Sequence, residues 1–98
     1  MNSILELIFA IKKKPALYIS RNSISCLKAF LDGWIYREID TVVDIDVIGD
    51  FQDWIVVKYK ISTSHSWADI LLFYSTDEYK ALQKFFEEFE LFLAKRKG

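Results

Sequence analysis

Ninety-eight residues with 52% apolar and 28% charged side chains, three Gly and one Pro exclude a disordered or linker-rich chain and, on length alone, two packed domains. Thirteen bases against fourteen acids leave a net charge of −1, so the chain taken whole is not an electrostatic nucleic-acid binder. A chain of this size should expose about 5,800 Å² when folded against roughly 17,000 Å² when extended, which is enough burial for one core.

The periodicity predicts an all-α single domain over 1–98, a bundle of about five helices with a short extended segment at 41–48. From Ile4 to Lys14, the residues Ile4, Leu7, Ile8 and Ile11 share one helical face, widened by Leu5 and Phe9. Lys12, Lys13 and Lys14 suit the negative end of that helix, and Pro15 disfavours its continuation. After a connector, PALYISRN, the period returns from Ser23 to Ile39 at Ile24, Leu27, Leu31, Trp34, Ile35 and Ile39. Asn22 or Ser23 can cap this helix, and Gly33 inside it suggests a close contact.

Residues 40–49 alternate Val43, Ile45 and Val47 with Asp44 and Asp46. That pattern suits a strand, but no partner strand is evident, so an extended connector is expected. Asp50 then caps a third helix carrying Phe51, Trp54, Ile55 and Tyr59. Two start signals follow, Ser66-Trp67-Ala68-Asp69 and the capping box Ser75-Thr76-Asp77-Glu78. Between them fits only a short helix or a buried strand. From Asp77 to Lys95, Tyr79, Leu82, Phe86, Phe89 and Leu93 advance by threes and fours, and the basic run at 95–97 complements the helix end.

The sidedness of charge is sharper than its sum. Residues 1–37 carry six bases and two acids, residues 38–53 carry six acids and no base, and residues 54–98 carry seven bases and six acids. The central acids are Glu38, Asp40, Asp44, Asp46, Asp50 and Asp53, flanked by Tyr36, Phe51 and Trp54. Six uncompensated carboxylates are either a solvated face or a surface that steers a cationic partner. Their spacing does not match a calcium loop.

Catalysis finds little support in this composition. His65, the one histidine, lies in the polar connector STSHS, and Cys26, the one cysteine, lies beside Leu27 as a packed thiol would. No phosphate-binding glycine motif or zinc spacing occurs. No metal and no cofactor are expected, and the chain is read as a non-enzyme. The single cysteine suits a reducing compartment, Glu6 interrupts the first apolar stretch as no secretory signal would, and no apolar run is long enough to span a membrane. A cytoplasmic protein that binds no membrane and no nucleic acid is expected.

The order KKKPALYIS, SISCLKAFLDGWIY, GDFQDWIVVKY and SWADILLFYSTDEYKALQKFFEEFELFL resembles a family of small bacterial immunity proteins encoded beside polymorphic toxins, among them those of contact-dependent growth inhibition. That family's pattern runs K-R-P-G-M-Y-L-G, S-I-x-x-L-x-A-F-L-x-G-Y, F-x-x-F-x-x-W-V, S-W-x-x-I-I-x-F-x-S-x-D-E and an A-x-x-x-F-F-x-L helix. The likeness covers nearly the whole chain, including Pro15, Tyr18, Ser23, Leu27, Phe30, Gly33, Phe51, Trp54, Trp67, Asp77, Glu78 and Phe85. Ala16 and Ser20 stand where the family has glycines.

The resemblance implies an antitoxin that binds the toxic C-terminal domain of a cognate effector, commonly a nuclease, whose substrate surface is cationic. An acidic surface with aromatic anchors fits such a partner. Tyr36, Glu38, Asp40, Asp44, Asp46, Asp50, Asp53 and Trp54 are the expected contacts. The competing expectation is a non-catalytic adaptor that forms a homodimer through Phe85, Phe89 and Phe92.

Overall fold

A computed structural model describes residues 2–97, all helix and connection, with no strand among them. Helix α1 spans Ile4–Lys13, a single 3-10 turn follows at Pro15–Leu17, and α2 spans Ile24–Arg37. Helix α3 spans Asp46–Lys58, α4 Trp67–Phe73 and α5 Glu78–Lys97. The exposed surface is 6,288 Å², near the value expected for one compact body of this size. No described helix is long and apolar enough to cross a membrane.

The first helix begins where Ser3 accepts a hydrogen bond from the Glu6 N–H and ends at Lys14, ahead of Pro15. Its buried face is Ile4, Leu7, Ile8 and Ile11, the four residues the spacing selects. Ser23 starts α2 by accepting from the Cys26 N–H, and Ser66 starts α4 by accepting from the Asp69 N–H. Each of these caps satisfies one of the N–H groups that a helix start leaves without a partner. Gly33 has open space around its Cα, so no close helix contact demands it.

All five helices contribute to one core. Its centre is Phe51 of α3, fully buried, with ring centroids 5.3 to 5.8 Å from Phe89, Phe92, Phe85 and Trp67. Most of these contacts are edge-to-face, the arrangement favoured by aromatic quadrupoles. The longest helix, α5, packs against α2, α3 and α4.

Three expectations from the periodicity are corrected. The extended segment at 41–48 is instead a run of turns from 38 to 45 followed by helix, because α3 starts at Asp46 and not after Asp50. Val47, Phe51 and Ile55 fall at intervals of four and are all buried, so Val47, expected in the extended connector, belongs to a helical face. Asp50 is therefore inside the helix and caps nothing.

The second correction concerns the start of α5. Asp77, not Ser75, accepts the Lys80 N–H at 2.8 Å, while the Ser75 hydroxyl donates to the Leu71 carbonyl at the end of α4. The third is the face of α5. Ala81, Leu82, Phe85, Glu88, Phe89 and Phe92 are buried, whereas Tyr79 is exposed and Phe86 and Leu93 are half-buried. Phenylalanines at both 85 and 86 make two helical registers nearly equivalent in sequence. Contacts with α2 and α4 select the one through Phe85.

Helix α3 closes with Lys60 in the left-handed region at φ 55. The Ile61 N–H donates to the Val56 carbonyl at 3.0 Å and the Lys60 N–H to Val57 at 3.2 Å. This is the paired C-terminal bond pattern usually built on Gly.

Candidate protein-binding surface

The six central carboxylates have different fates, and the helix starts decide them. Asp44 folds back onto α1. Its Oδ1 accepts the Ile4 N–H at 2.6 Å, and its Oδ2 accepts the Ser3 hydroxyl at 2.9 Å and the Leu5 N–H at 3.1 Å. The Val43 N–H donates to the Asn2 carbonyl beside it. Partial burial pushes the Asp44 carboxyl up, but the bonds from Ile4, Leu5 and Ser3 together outweigh it and hold the group below its ordinary range. Asp44 is thus a cap supplied to α1 from forty residues away in sequence.

Glu78 does the same for α2. Its Oε1 accepts the Ser23 hydroxyl at 2.7 Å and the Ser25 N–H at 2.9 Å, and its Oε2 accepts the Ser25 hydroxyl at 2.7 Å. The Ser25 N–H, then the Ser23 and Ser25 hydroxyls, hold this carboxyl low. In a capping box the glutamate would turn back to its own helix start; here it joins α5 to α2.

The remaining acids face solvent. Asp46, Asp50 and Asp53 lie at intervals of four and three on one exposed face of α3. Asp50 pairs with Arg96 of α5. Asp46 and Asp53 have no ion pair among the described residues. Asp40 is exposed in the turn after α2. Half-buried Glu38 caps the C-terminus of α2 and accepts the Thr41 hydroxyl at 3.2 Å through its side chain.

Of the two aromatic anchors, Tyr36 is 85% exposed at the end of α2. Trp54 is half-buried, stacked on Phe51 at 6.2 Å and tilted against Phe92 at 5.8 Å, with the Lys58 ammonium 4.8 Å above its ring. Its ring is mainly part of the α3–α5 packing. The exposed aliphatic residues Ile39, which periodicity assigned to the second helix, and Val43, expected in an extended connector, stand in the same turn-rich stretch as Asp40. Helical spacing alone put Ile39 on a buried face, so only the observed turn reveals it as surface.

The acidic stretch therefore divides into internal support, at Asp44 and Glu38, and an outward surface formed by Tyr36, Asp40, Asp46 and Asp53 with Asp50 in an ion pair. Against protein-family models, curated proteins and solved structures alike, the chain gives no match.

Proposed function

We propose that the protein is an immunity protein that binds the toxic domain of a cognate bacterial effector, a nuclease, and neutralises it by direct contact in the cytoplasm. The observation that carries the reading is the exposed acid row Asp46, Asp50 and Asp53 on α3, in a chain whose first 37 residues are net basic. A surface of this kind competes for a cleft built to neutralise phosphates and accelerates encounter with it. The sequence likeness to immunity proteins supports the same reading.

The outward contacts are Tyr36, Asp40, Asp46 and Asp53, with Asp50 exchanging Arg96 for a basic group of the toxin. Glu38, Asp44 and Trp54 act behind them by holding the α2 end, the α1 start and the α3–α5 seam. The homodimeric adaptor gains no comparable support, because Phe85, Phe89 and Phe92 are buried in the protomer's own core.

Co-expression tests the reading. The chain should restore growth to cells producing the toxic C-terminal domain of an exported effector encoded beside it, and the two should co-purify. Continued killing by that domain, with the chain present and folded, would overturn it.

A further inference from the structure

A cleft of about 210 Å³ lies between the connector after α3 and helix α4, lined by Ile61, Thr63, His65, Asp69, Ile70, Phe73 and Tyr74. It is built, because Gln52 of α3 fastens the His65–Trp67 segment at its rim twice. The Gln52 amide donates to the His65 carbonyl at 2.9 Å and accepts the Trp67 N–H at 2.6 Å. His65 is oriented in turn, its Nδ1 sharing a hydrogen bond of 2.7 Å with the Thr63 hydroxyl.

The walls are aromatic and unusually open to water. Phe73 is 79% exposed although it ends a helix whose neighbours Ile70 and Leu71 are buried. It stands edge-to-face to Tyr74 at 5.1 Å, and Tyr74 leans on Tyr59 at 5.2 Å, so the pair is braced from behind. At the rim is Asp69, whose carboxylate has no ion pair among the described residues. Among the described residues, no lysine or arginine lines this cleft.

Aromatic faces with one free carboxylate are complementary to an organic cation, since ring quadrupoles and the carboxylate attract the same charge and the apolar floor takes the side-chain stem. Guanidinium suits it better than ammonium, being planar, less hydrated and able to stack on a ring while bonding a carboxylate. We propose that this cleft receives an arginine side chain from a basic protein partner, as a second contact point separate from the acid row of α3. Insofar as that partner is the toxin, the proposal rests on the immunity reading above.

The experiment needs no toxin. The full chain, labelled for amide NMR, is titrated with a blocked Gly-Arg-Gly peptide, the matching lysine peptide, and a citrulline peptide that keeps the shape of arginine without its charge. The arginine peptide should shift the amides around Thr63, His65, Asp69 and Tyr74 saturably and more tightly than lysine, and citrulline should not. Asp69→Asn and Phe73→Ala should each weaken arginine binding about fivefold, while circular dichroism stays unchanged because both residues are exposed. Equal response to arginine and citrulline, or unaltered binding in both variants, would overturn the cleft assignment. Failure of growth rescue with arginine binding intact would instead overturn the toxin reading alone.

Discussion

Asp44 and Asp46 stand two residues apart in one acidic run, and they have opposite surroundings. Asp44 accepts three hydrogen bonds from the start of α1, whereas Asp46 opens the first turn of α3 with its side chain in water. The same division separates Glu78, which joins α5 to the start of α2, from the exposed Asp53. These acids are thus two populations. Asp44 and Glu78 close helix starts, where the partial positive charge of the N-terminus compensates each carboxylate, and Asp46 and Asp53 face solvent.

The comparison has a baseline in the core, where the largest effect is expected. Phe51→Ala removes the ring on which α3, α4 and α5 meet and should cost about 3 to 5 kcal/mol, measured by urea unfolding. A loss under 1 kcal/mol would mean that the aromatic cluster is not the centre of the fold.

Next in size is the capping population. Asp44→Ala leaves the Ile4 and Leu5 N–H groups without their acceptor and should cost about 1 to 2 kcal/mol. The pH dependence has a definite sign. Both Asp44 and Glu78 are held below their ordinary values of 3.8 and 4.5, so their contribution is complete above those values and fades as pH falls through the lower folded-state ones. Asp44→Asn with Glu78→Gln should flatten that acid limb in thermal melts at graded pH. An unchanged limb would assign acid sensitivity elsewhere.

A seam of a third kind joins α3 to α5. Glu88, 6% exposed, accepts Lys58 Nζ at 2.8 Å and the Tyr59 hydroxyl at 2.9 Å. Burial, then the hydrogen bond and charge of Glu88, push the Tyr59 phenol up to about 12. Because the folded value is raised, the contribution is full below the ordinary value of 10.0 and is lost as pH rises through about 12. Phenolate absorbance should show this one tyrosine titrating late, and Glu88→Gln should bring it down. The smallest effect is expected at Lys60, where Lys60→Gly relieves a left-handed residue and should stabilise by about 0.5 to 1 kcal/mol.

Much of this was legible in the chain. Ser23 and Ser66 announce their helices through local hydrogen bonds, and the α1 face follows from spacing alone. The α3 start was not, since Val43, Ile45 and Val47 alternate while Val47, Phe51 and Ile55 also keep helical period, and only packing chooses between them. The α5 register was hidden for the same reason by paired phenylalanines. The fates of Asp44 and Glu78 lay further out of reach, because their partners are 39 to 55 residues away and nothing in local sequence pairs them.

On the proposed function, the outward carboxylates of α3 bind a basic partner while Asp44 supports the fold. Asp46→Lys with Asp53→Lys, compared with Asp44→Ala, separates the two roles in thermal melts and in association kinetics with the proposed toxin partner at low and high salt. The double variant should melt within about 3 °C of the unaltered protein, yet associate at least about tenfold more slowly at low salt. Asp44→Ala should melt lower and associate normally while folded. Unchanged association in the double variant, with its fold intact, would contradict the account.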